Sequence, residues 1–84
     1  MTNTSPRILV VDDEPDLRTL YEMTLLREGY DVETAGTVAD ALQCLQEHQY
    51  QCLISDMRLP DGSGLELLAW LEQSGRAEKT VVIT

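Results

Sequence analysis

The spacing of hydrophobic and polar positions changes period several times along this chain, and each change marks an element. Ile8, Leu9, Val10 and Val11 form a continuous β-favouring run bounded by charge, the pattern of a parallel strand buried on both faces. Pro15 then opens a stretch in which Leu17, Leu20, Tyr21, Thr24 and Leu25 recur at helical spacing, with Gly29 where a left-handed residue would end the helix. This predicts a helix of about four turns carrying that stripe. Residues 30–35 alternate polar and less polar side chains, which reads as a strand with one wetter face near a sheet edge. Thr37 is placed to cap a second helix, with Asp40 near its third position and Val38, Ala41, Leu42 and Leu45 as its apolar stripe.

Cys52, Leu53, Ile54 and Ser55 give a third strand, and residues 56–62 a loop with turn chemistry at Pro60, Asp61 and Gly62. Ser63 and Glu66 match a capping box for a third helix bearing Leu65, Leu68 and Leu71, which Gly75 ends. Thr80, Val81, Val82, Ile83 and Thr84 form a fourth strand. Strands alternating with helices long enough for right-handed crossovers predict an α/β fold, an open parallel sheet with helices on both faces. Residues 1–6 read as a flexible polar lead-in and residues 7–84 as the domain.

Composition narrows the function. At 84 residues the chain holds one domain at most, and 43% hydrophobic against 25% charged residues is globular. Fifteen acids against six bases give a net charge of -9, a field that repels nucleic-acid phosphates and anionic membranes. DNA binding by this segment is therefore not expected. The longest apolar run, residues 67–71, has five residues where a membrane span needs about twenty, and the first seven residues lack a signal peptide's apolar stretch. A cytoplasmic location is expected. Cys44 and Cys52 fit no metal or C-x-x-C spacing and read as reduced, buried small hydrophobes.

In open α/β sheets the ligand crevice lies beyond the carboxyl ends of the strands. Asp12 and Asp13 follow the first strand and Asp56 follows the third, so neighbouring strands would bring three carboxylates to one rim. Such charges repel one another unless something positive lies between them. Arg58 is the one cation close in sequence, in a loop whose direction the sequence leaves open. Hard oxygen donors without histidine or thiolate favour Mg²⁺. The plainer alternative is that Asp12 and Asp13 only favour the positive end of the following helix.

These residues resemble the receiver domain of bacterial two-component response regulators. The likeness runs from Ile8 to Thr84 and rests on Ile8-Leu9-Val10-Val11-Asp12-Asp13-Glu14-Pro15, on Leu53-Ile54-Ser55-Asp56-Met57-Arg58-Leu59-Pro60-Asp61-Gly62-Ser63-Gly64, and on Val82-Ile83-Thr84. The segment 56–65 is most similar to receivers of the NtrC class, PilR-like regulators among them. The resemblance implies a CheY-like (flavodoxin-like) sheet of strand order 2-1-3-4. It implies Asp56 as phosphoacceptor for a sensor histidine kinase, and Mg²⁺ held by Asp12, Asp13, Asp56 and the carbonyl of Met57. Thr84 would contact the phosphoryl group and act as the switch residue. The output would be transcriptional regulation through an effector domain outside these residues, a switch rather than a turnover enzyme. The family continues through a further helix, strand and helix bearing a phosphate-binding lysine and a switch aromatic, so the chain reads as truncated after its fourth strand. Lys79, the sole lysine, is expected at the rim opposite the acids. The uncovered fourth strand or sheet faces are expected to pair two copies into a homodimer.

Two rival functions remain open at this level. A Mg²⁺-dependent phosphotransferase or phosphatase of the haloacid dehalogenase type also uses an Asp after a parallel strand, though with D-x-D spacing. A non-phosphorylated interaction module is the other, against which Asp12, Asp13, Asp56 and Thr84 together count. His48 reads as a surface cap of the second helix, Trp70 as partial packing, and Gly62-x-Gly64 as no nucleotide fingerprint because Leu67 stands at the third position.

Overall fold

The computed structural model describes residues 6–83. Its elements in chain order are β1 (Arg7–Val11), α1 (Pro15–Arg27), β2 (Asp31–Ala35), α2 (Val38–Glu47), β3 (Cys52–Asp56), β4 (Arg58–Leu59), β5 (Gly62–Ser63), α3 (Gly64–Gln73) and β6 (Lys79–Ile83). The long strands form one parallel sheet of order β2-β1-β3-β6. This is the expected 2-1-3-4 arrangement, since β6 is the fourth long strand. Within the expected loop after β3, the two-residue strands β4 and β5 pair antiparallel, a hairpin too short to leave a sequence period. Residues 1–5, most of the expected lead-in, lie outside the described residues; the Pro6 carbonyl accepts from the Asp31 amide at 2.9 Å.

Alternation along the strands sorts side chains between two layers. Leu9, Val11 and Leu53 point to one face, where they pack with Val38, Ala41 and Leu45 of α2 and Leu67 and Leu71 of α3. Ile8 and Val10 are buried on the other face, beneath α1, which packs on β1 and β2. Thr37 caps α2 by accepting from the Asp40 amide, and Ser63 and Glu66 form the capping box of α3. Gly29 and Gly75 adopt φ of 94° and 69° after α1 and α3, where a side chain would be strained.

The expected stripe of α1 needs correction. Leu17 and Leu20 are 41% and 58% exposed and Thr24 is also exposed, while Arg18, Tyr21, Glu22 and Leu25 are the half-buried positions. The face turned to the sheet is the one that carries Arg18, Tyr21, Glu22 and Leu25, and Leu17 and Leu20 lie on the outer side. Cys44 and Cys52 are free and half-buried rather than fully buried, and burial pushes both thiols up. No helix among the described residues is long and apolar enough to cross a membrane.

Candidate functional site

Asp12 is the residue after β1, and Asp56 is the last residue of β3. Because β1 and β3 are paired in parallel, with Val11 opposite Ser55, their carboxyl ends open on the same rim. Asp12 is 7% exposed, Asp56 half-buried and Asp13 exposed. One carboxylate oxygen from each of the three lies within 4.8 Å of the others, so the expected convergence is present.

Each backbone segment at this rim is fixed. The Asp12 amide donates to the Ala35 carbonyl at 3.0 Å, its Oδ1 accepts from the Glu14 amide at 2.9 Å, and its carbonyl accepts from Arg18 Nη1 at 2.7 Å. Beyond β3, the Met57 amide donates to the Ile83 carbonyl at 2.8 Å, and the Met57 carbonyl accepts from the Gly64 amide at 2.9 Å. The hydroxyl of Ser55, fully buried, donates to the Asp56 carbonyl at 2.9 Å. Gly64 is packed so tightly that a β-carbon there would lie 2.3 Å from the Asp56 carbonyl oxygen.

The structure brings Asp12, Asp13 and Asp56 together, with Met57 next along the chain from Asp56; Thr84 lies outside the described residues. Arg58 is exposed on β4, and it is Arg18 that reaches the backbone of the acid cluster. Arg18, Gly36, Gly64 and Asp61 were missed. Asp61 leaves the hairpin to accept from the Val38 amide at 2.8 Å and the Ala39 amide at 3.0 Å. Those two bonds hold its carboxyl below the usual carboxylate range. At the far end of the molecule Lys79 opens β6, on the rim opposite the acids as expected. The cation at the end of α2 is Arg76, which donates to the Leu45 and His48 carbonyls; His48 is the C-cap residue but is exposed. Trp70 packs against the core with Arg76 5.4 Å from its ring centroid.

A parallel sheet of order 2-1-3-4 with three acids at its carboxyl rim defines a CheY-like α/β domain. The chain belongs to the response regulator receiver domain family, whose profile matches residues 8–84. It is 41% identical over 78 residues to the response regulator protein PilR of Pseudomonas aeruginosa, a match covering 93% of this chain and 18% of PilR. The signal receiver domain of a putative Luxo repressor protein from Vibrio parahaemolyticus superposes with a TM-score of 0.88 at 33% identity, over 93% of this chain and 60% of that one. The MaeR response regulator bound to beryllium trifluoride superposes with a TM-score of 0.85 at 30% identity, over 94% and 66%. The chain thus spans under a fifth of PilR. Its likeness to PilR agrees with the subfamily expected from residues 56–65, and membership of this family displaces the haloacid dehalogenase alternative.

Proposed function

We propose that this chain accepts a phosphoryl group on Asp56 from a sensor histidine kinase and, through that charge, sets the state of an effector, with transcriptional regulation as the output. The observation that carries the reading is the approach of Asp12, Asp13 and Asp56 to within 4.8 Å. Among the described residues the sole ion pair is Arg76 with Glu78, so no protein cation is paired with the three acids. Their donors are all hard oxygens and the Asp12 carboxylate is buried, a set that fits Mg²⁺. Asp12, Asp13, Asp56 and the Met57 carbonyl would hold it, and when bound it supplies charge neutralisation for the transferring phosphoryl group.

The remaining chemistry belongs to the chain. A carboxylate is a weak nucleophile, and holding it on a buried strand removes the entropic cost of aiming it. An Asp56 oxygen forms the new O–P bond as the N–P bond to the donor imidazole breaks in line; the electron pair returns to the imidazole nitrogen, which takes up a proton. The bonds of Ser55 and Gly64 to the Asp56 and Met57 carbonyls keep the acceptor from swinging out of line. Thr84 is assigned the contact to the incoming phosphoryl oxygen.

Intact-mass spectrometry after incubation with acetyl phosphate and Mg²⁺ tests the assignment. One phosphoryl group should be added, only when Mg²⁺ is present, and the addition should vanish in Asp56→Asn. Labelling that survives this substitution would overturn it.

A further inference from the structure

Gly36 follows β2 and precedes the Thr37 cap of α2. Its φ is not positive, unlike those of Gly29 and Gly75, so backbone conformation does not call for glycine there. Space does. A β-carbon on Gly36 would lie 2.8 Å from Arg18 Nη1 and 3.9 Å from the Asp12 carbonyl oxygen. The missing side chain leaves a notch through which the guanidinium, carried on the first turns of α1, crosses to the end of β1.

What Arg18 does there follows from which atom it meets. Nη1 donates to the Asp12 carbonyl at 2.7 Å, and Arg18 forms no ion pair with Asp12, Asp13 or Asp56. Its partner is thus the peptide linking Asp12 to Asp13, not a carboxylate. The amide of Asp12 is tied to the sheet through Ala35 and its carboxylate to Glu14, whereas Arg18 is the group that holds the carbonyl. Rotation of that peptide would redirect Asp13, the exposed member of the cluster.

We propose that Arg18, seated in the Gly36 notch, is a positioning residue for the divalent-cation site, fixing the Asp12–Asp13 peptide so that Asp13 converges with Asp12 and Asp56. This rests on the reading of the acid cluster as a metal site. Partners that orient ligands from behind typically change metal affinity by about tenfold or more when removed. The guanidinium is also a positive charge near the cluster, so charge alone would make its removal strengthen cation binding; the two roles have opposite signs.

The test is a titration calorimetry series with Mg²⁺ on the parent chain, Gly36→Ala, Arg18→Gln and the double variant. Gly36→Ala is the informative change: it keeps the charge, and only the far end of a flexible side chain has to move. About tenfold weaker Mg²⁺ binding is expected in each single variant, with the double variant no weaker than Arg18→Gln because both act through one bond. Faster exchange of the Glu14 amide, which donates to Asp12 Oδ1, and a changed Asp13 amide shift in Gly36→Ala, both read by NMR in EDTA, should accompany it and report the loosened peptide without metal. Parent-like affinity in Gly36→Ala, tighter binding in Arg18→Gln, or losses that multiply in the double variant would each overturn the positioning role while leaving the metal site intact. A parent that binds no Mg²⁺ would overturn the metal reading itself, and this inference with it.

Discussion

The amide of Gly64 donates to the carbonyl of Met57 at 2.9 Å, so the start of α3 holds the peptide that follows Asp56, the proposed phosphoacceptor. This contact requires glycine. A β-carbon at position 64 would stand 2.3 Å from the Asp56 carbonyl oxygen and 2.7 Å from the buried Ser55 hydroxyl, and neither atom is the end of a flexible chain. Gly64→Ala is therefore expected to destabilise the fold by about 1–3 kcal/mol, the usual cost of overpacking, and to slow labelling of Asp56. Urea denaturation and the mass assay check the two effects.

A ligand that binds only the folded state at ten times its Kd stabilises it by about 1.4 kcal/mol. Millimolar Mg²⁺ should raise the melting temperature of the parent chain, and Asp13→Ala should abolish the rise. An equal rise in both proteins would assign the effect to general screening of the -9 charge rather than to the cluster.

The acids were legible because Asp12 and Asp13 come at the end of the run Ile8 to Val11 and Asp56 at the end of the run Cys52 to Ser55, and the carboxyl end of a parallel strand is where a ligand crevice opens. The strand order came from resemblance, since hydrophobic period says which runs are strands and not which are neighbours. The side chains that hold the rim were not legible. Arg18 lies among the leucines of α1, and a charged residue there reads as solvated until the rotation of the helix is known. Asp61 reads as a turn residue because its partners, Val38 and Ala39, are 23 and 22 positions away. The stripe of α1 was misjudged for a related reason: Leu17, Leu20, Tyr21, Thr24 and Leu25 share its spacing, and period alone does not say which of them the sheet covers.

Asp61 makes the stability of α2 depend on pH. Its carboxylate accepts from two first-turn amides, which favours the ionised form in the folded state and lowers its pKa. A group depressed on folding contributes stability that is present above its unfolded value, about 3.9 for Asp, and lost as pH falls through the folded value. The stability difference between the parent and Asp61→Asn should accordingly be largest near neutrality and shrink as acid is added below about pH 4. Denaturation curves at a series of pH values measure it, and a constant difference would show that shape rather than charge makes the cap.

The opposite end of α2 depends on Arg76. Its guanidinium donates to the carbonyls of Leu45 and His48 at the helix C-terminus and to Glu78, and it lies over Trp70. Burial alone would raise the Glu78 carboxyl, but the Arg76 bond and the Tyr50 amide together hold it below its ordinary range. Both side chains are largely enclosed, at 15% and 4% exposure, so this pair differs from a surface bridge. Removing one partner of a buried pair strands the other, at a typical cost of about 3–5 kcal/mol. Arg76→Met should cost only part of that, because Arg76 keeps some solvent contact, while Glu78 stays behind with the Tyr50 amide and the Leu45 and His48 carbonyls lose their donor. Arg76→Lys should recover part of it at most, since one ammonium group lacks the planar fork that serves three partners and a ring at once. The double variant Arg76→Met/Glu78→Gln, which removes the stranded charge, should be more stable than Arg76→Met alone. Urea midpoints of the three variants decide it, and a double variant no more stable than Arg76→Met would place the cost in the helix end rather than in the ion pair.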